Sequence, residues 1–61
     1  MKAGDLVVWN WWSDTEGDGQ SVGVIKRVWE SYLTSGLFFY EVQFGDGSIV
    51  HDLLEKELEL L

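Results

Sequence analysis

Polar and apolar residues alternate most regularly near the end of the chain, through Phe39-Tyr40-Glu41-Val42-Gln43-Phe44. Period-two alternation of this kind marks a strand with one buried face. The pattern predicts a strand from Leu37 to Phe44, with Phe38, Tyr40, Val42 and Phe44 on the core side and Phe39, Glu41 and Gln43 on the other. Gly45-Asp46-Gly47 follows, and a second apolar run begins at Ile49. Asp-Gly between two such runs predicts a β-hairpin whose turn occupies Gly45 to Ser48. A type I′ turn, with φ > 0 at both Asp46 and Gly47, is expected, since aspartate tolerates that region and glycine enters it freely. The returning strand is expected over Ser48 to His51.

Upstream the periodicity is less regular. Leu6-Val7-Val8-Trp9 reads as a first strand that is apolar on both faces, so it is covered on both sides or offers one side as a contact surface. Asn10 to Gln20 reads as a long loop, and β-branched Val22, Val24, Ile25 and Val28 mark a second strand from Ser21 to Trp29. Within it, Lys26-Arg27 separates Ile25 from Val28 and predicts a bend or bulge. Glu30 to Gly36 forms a second loop. Asp52-Leu53-Leu54-Glu55 matches a capping box, and Leu54, Leu58 and Leu61 have helical spacing, so a helix of about nine residues is one reading of the C-terminus. Alternation in Glu57-Leu58-Glu59-Leu60 favours the other, a single helical turn at Leu53 to Lys56 and then a short strand that covers the edge of the first.

Sixty-one residues make one domain, and a chain of this size buries only about 60% of its unfolded surface. No cysteine is present to staple it or to hold zinc. Nine aromatic residues compensate, each able to bury about 150–250 Å². So many rings in so small a chain imply a dense core, a binding surface, or both. The formal net charge of −7 argues against a nucleic-acid groove or an anionic membrane surface and favours a basic protein partner, or simply solubility. No apolar run approaches the length of a membrane span, and Met1-Lys2-Ala3-Gly4 lacks a signal peptide's apolar stretch. A cytoplasmic or viral protein made without export is therefore expected.

Gly4-Asp5-Leu6-Val7, Gly23-Val24-Ile25 and Tyr40-Glu41-Val42-Gln43-Phe44, followed by a turn and Glu-Leu-Glu-Leu, resemble the Src-homology-3-like small barrels. The resemblance is to the branch containing Tudor domains, KOW domains and the E subunit of photosystem I. It covers nearly the whole chain and implies an all-β, five-stranded SH3-like barrel with a single helical turn before the last strand. The Ala-Leu-Tyr-Asp-Tyr segment of peptide-binding Src-homology-3 domains is missing, and so is the basic surface that KOW domains present to RNA. The chain's brevity is also similar to that of small phage-encoded barrels.

The candidate partner-binding set is Trp9, Trp11 and Trp12 with Asp14 and Glu16 beyond them, joined by Phe39 on the outward face of the third strand. Indole faces attract cations, acidic neighbours strengthen that preference, and Tudor-like barrels build aromatic cages in this way. Three tryptophans in four residues are hard to bury together, so at least one of Trp11 and Trp12 is expected at the surface, where a partner or a second copy would cover it. Asp14, Glu16, Asp18 and Gly19 are spaced like the start of a calcium loop, but Ile25 stands where the closing glutamate belongs, and no metal or other cofactor is expected. His51 is the only histidine, and no serine has a second histidine to activate it, so catalysis is not expected. The leading expectation is a non-catalytic interaction module or accessory subunit that holds a basic or apolar partner segment. The alternative is KOW-like nucleic-acid binding through Lys26 and Arg27.

Overall fold

A computed structural model describes all 61 residues. Five strands form one antiparallel sheet: β1 (Leu6–Ser13), β2 (Gly17–Glu30), β3 (Phe38–Phe44), β4 (Ile49–Leu54) and β5 (Leu58–Leu60). Their order across the sheet is β4-β3-β2-β1-β5. One 3₁₀ turn, Glu55–Glu57, joins the two edge strands, which do not pair with each other, so hydrogen bonding does not close the sheet. No helix is long and apolar enough to cross a membrane.

β2 organises the molecule. Its first half pairs with β1 from Ser13↔Gly17 to Leu6↔Val24, and its second half pairs with β3 from Gly23↔Phe44 to Glu30↔Phe38. The register shifts between Ile25 and Arg27, which makes Lys26 the extra residue of the bulge expected there. This bend lets one strand serve both halves of the sheet.

The segment from Asn10 to Gln20 is not a loop. It continues the β1–β2 ladder around a short turn, Asp14-Thr15-Glu16, with Gly17 at φ 78°. Ser13 Oγ accepts hydrogen bonds from the N–H groups of Thr15 and Glu16, at 3.2 and 3.4 Å. Acidic and glycine-rich composition imitates a loop, but cross-strand pairing overrides weak local propensity.

The hairpin after β3 falls at Gly45–Ser48 as expected, with a different turn. Gly47 N–H donates to Phe44 C=O at 2.9 Å and Phe44 N–H to Ser48 C=O at 2.8 Å. Only Gly47 has positive φ, at 90°, and Asp46 does not. This is a three-residue loop with glycine in the left-handed position, not the two-residue type I′ turn. Asp46 Oδ1 instead accepts from Ser48 N–H at 2.9 Å and from its hydroxyl at 2.6 Å. These two bonds hold the Asp46 carboxyl below its usual range.

Seven side chains make the core: Val7, Ile25, Tyr40, Val42, Phe44, Leu53 and Leu58. The third strand's parity holds for Tyr40, Val42 and Phe44 but fails at Phe38, which is 41% exposed. Phe38 pairs with Glu30 at the end of β2, past the core, so alternation points it inward where it is only partly covered, beside Leu54, Glu55 and Lys56. β4 runs on to Leu54, beyond the expected His51, through a second bulge where His51 and Asp52 lie opposite Glu41. Asp52 takes φ 61° there. The C-terminus follows the turn-then-strand reading, with the turn at Glu55–Glu57 in place of the expected Leu53 to Lys56. Glu57 accepts the Leu54 N–H at 2.7 Å, so the reaching carboxylate is Glu57, not Glu55.

Candidate functional site

The β1–β2 hairpin projects past its neighbours. β5 pairs with β1 only over Val7–Trp9, and β3 pairs with β2 only from Gly23 onward. Beyond those limits lies a two-stranded ribbon carrying Trp11, Trp12 and the acidic turn. Alternation along β1 places Val7, Trp9 and Trp11 on the core side and Val8, Asn10 and Trp12 on the other.

On the core side the tryptophans face small partners. Trp9 pairs with Ser21 and Trp11 with Gly19. The Trp11 six-membered ring lies so close over Gly19 that a Cβ there would overlap it. Its indole N–H donates to Ser21 Oγ at 3.0 Å. Trp9 reaches across to Phe44, with ring centroids 5.5 Å apart. Both rings are half-buried. A sequence signal for this exists in Gly17, Gly19, Ser21 and Gly23, small residues at every second position of β2. They leave one face of the strand free for large rings from its neighbour.

Trp12 occupies the opposite face and is 69% exposed, in register with Asp18. Residues directly opposite have Cβ atoms about 4.5–5.5 Å apart, so the indole and the carboxylate stand side by side. The next pair inward is polar: Gln20 donates to Asn10 Oδ1 at 2.9 Å, and Asn10 donates to Glu59 Oε1 at 3.2 Å. Asp14 and Glu16 are exposed in the turn. No lysine or arginine occurs between Leu6 and Ile25, so nothing on the hairpin neutralises these acids.

Phe39 does not join this group. It packs against Trp29, with centroids 6.2 Å apart, and Trp29 and Asp18 stand eleven positions apart along β2. The six candidate residues therefore divide three ways. Trp9 and Trp11 line the core side of the hairpin, Trp12 stands on its outer face next to the acidic turn, and Phe39 lies at the far end of the sheet.

Around Trp29 the chemistry is different. The Arg27 guanidinium lies 5.3 Å from the Trp29 ring centroid and 4.0 Å from Glu41. His51 Nδ1 also meets Glu41, at 3.0 Å, so the histidine engages a cross-strand carboxylate and not adjacent Asp52. Lys26 is exposed on the bulge. The loop between β2 and β3 carries Tyr32 and Leu33, 94% and 80% exposed, which sequence reasoning passed over because one aromatic in a polar loop has no periodicity. No group of three or more His, Cys, Asp or Glu side chains stands close enough to hold a metal ion.

An exposed indole beside a carboxylate suits a cationic side chain. The ring's quadrupole and the acid act in the same direction, and half-buried Trp11 behind them stiffens the ribbon. Compared with models of protein families, with curated proteins and with solved structures, the chain finds no match.

Proposed function

We propose that this chain is a non-catalytic protein-interaction module whose β1–β2 hairpin holds a basic segment of a partner protein. The observation that carries this reading is Trp12, exposed beside Asp18 on a ribbon whose only charges are acidic. An apolar partner segment is less well served, because the outer face around Trp12 is otherwise polar. For the architecture we propose a Src-homology-3-like open barrel. The strand order β4-β3-β2-β1-β5, the long bulged second strand and the single turn before a short last strand support it. An accessory subunit packed into a larger assembly would use the same surface.

Titration with a lysine- and arginine-rich peptide tests the reading. Trp12→Ser and Asp18→Asn should each weaken binding about two- to fivefold, the ~0.5–1 kcal/mol of an exposed cation–π or ion-pair contact. Binding should also weaken as salt rises. Both variants should keep the parent's circular dichroism. Micromolar binding to duplex DNA or RNA at physiological salt, lost on replacing Lys26 and Arg27 with alanine, would overturn the proposal in favour of the nucleic-acid alternative.

A further inference from the structure

The projecting ribbon leaves backbone as well as side chains without partners. Ile25 N–H donates to Asp5 C=O at 2.9 Å, and Ile25 C=O accepts from Gly4 N–H at 2.8 Å, so its backbone groups point toward the β1 side. In an antiparallel ladder this direction alternates residue by residue. Gly23, Ser21, Gly19 and Gly17 therefore bond toward β1, while Val22, Gln20 and Asp18 point their N–H and C=O groups away from it. β3 stops at the Gly23↔Phe44 pair, and nothing pairs with these three residues. The result is an open sheet edge on β2, longer by one residue than the Asn10 and Trp12 edge of β1.

Natural edge strands are usually blunted by lysine, proline or a bulge. This edge has none of them between Gly17 and Val22, and its one charge is Asp18. Beside it the Gly45–Ser48 turn forms a depression of about 340 Å³ with Trp9, Ser21 and Val22 in its lining. Because β2 carries only Gly19 and Ser21 on its core side here, the Trp11 and Trp9 rings lie within reach of whatever pairs with the edge.

We infer that the Asp18–Val22 edge of β2 accepts an extended partner segment by strand addition, and that the segment alternates basic and apolar residues. Residues opposite Asp18, Gln20 and Val22 would share the outer face, where Asp18 and neighbouring Trp12 select lysine or arginine. Residues opposite Gly19 and Ser21 would turn to the core side and meet Trp11 and Trp9, which select apolar side chains. A second copy is a poor occupant. Antiparallel self-pairing centred on Gln20 sets Asp18 against the other copy's Val22, and each copy carries a net charge of −7. The inference rests on the basic-partner reading above and adds how the partner is held.

The probe is a blocked peptide of alternating Arg and Val, compared with the same peptide N-methylated at alternate residues. Strand addition predicts slowed amide exchange at Asp18, Gln20 and Val22 with the first peptide, and about tenfold weaker binding of the second. Val22→Pro should keep the fold, because it removes an outward N–H from an edge and no side-chain hydrogen bond, and should weaken the first peptide about tenfold. Equal binding of both peptides, weakened by Trp12→Ser, would overturn strand addition and leave the side-chain reading standing. If neither peptide binds, both readings fall. Protection of the same amides that grows with protein concentration alone would assign the edge to a second copy and overturn the inference.

Discussion

Gly19 shows how much a single missing side chain decides. Its backbone needs no unusual φ; what it supplies is the space that the Trp11 ring fills. Gly19→Ala should displace the indole, break its bond to Ser21 and destabilise the domain by about 1–3 kcal/mol, as overpacked sites do. In a Trp11→Ala background the same substitution should have little further effect, since the two residues share one contact. Urea melts followed by tryptophan fluorescence would check both, and an unchanged midpoint for the single variant would show that the ring does not seat there. Asp46 and Tyr40 each make stability depend on pH at the same scale. The Ser48 bonds lower the Asp46 pKa, so the stability it contributes is complete above the ordinary value near 3.8 and is lost as pH falls through the lower folded value. Burial, and secondarily the Glu55 charge, raise the Tyr40 pKa, so its contribution is complete below the ordinary 10.0 and declines as pH rises through the raised value. Asp46→Asn should flatten the acid limb of a stability–pH profile and Tyr40→Phe the alkaline limb. Unaltered limbs would contradict these assignments.

Among the elements, β4 is the one whose continuity depends on strained backbone. Its bulge lets the strand run six residues from Ile49 to Leu54 and still deliver Leu53 to the core opposite Tyr40. Asp52 holds φ 61°, a region that non-glycine residues enter at a cost and β-branched residues scarcely at all. Asp52→Gly is expected to leave thermal stability the same or slightly higher. Asp52→Val should lower stability by about 1–3 kcal/mol. Equal melting temperatures for the two variants would mean the bulge relaxes without penalty. The β1–β2 hairpin shows the opposite arrangement, with no covering neighbour but a Trp11–Ser21 bond and an Asn10–Gln20 bond across its strands. A bare two-stranded ribbon is marginal in water. These cross-strand contacts are what let the ribbon keep its form while its edges stay open.

For the whole molecule, seven core side chains must hold 61 residues with no crosslink. Phe44 links the halves, because it pairs with Gly23 at the centre of the sheet and stacks on Trp9 from the first hairpin. Phe44→Ala should lose about 3–5 kcal/mol, as truncation of a large core side chain does. In a domain this small that is enough to abolish a cooperative melt, which calorimetry or amide dispersion in an NMR spectrum would report. A cooperative transition close to the parent's would place the stabilising core elsewhere.

Much of this architecture was legible in the order of residues. Alternation from Phe39 to Phe44 specified the third strand and its buried face, because a half-buried strand must repeat every second residue. The broken spacing at Lys26-Arg27 specified the bulge, and Glu57-Leu58-Glu59-Leu60 indicated a final strand. Crowded tryptophans signalled that one would be exposed, and Trp12 is. Tertiary structure alone decided the rest. Asn10 to Gln20 became strand because each side of the hairpin supplied what the other lacked, glycine on one and indole on the other. That pairing is invisible until the register is known. Phe38 lost its place in the core because full burial requires cover on every side of the ring, and the sheet ends there. Phe39 parted from the tryptophans because β2 sets Trp29 and Asp18 eleven residues apart. Periodicity fixes which way a side chain points, and only the packing of distant segments fixes what it meets.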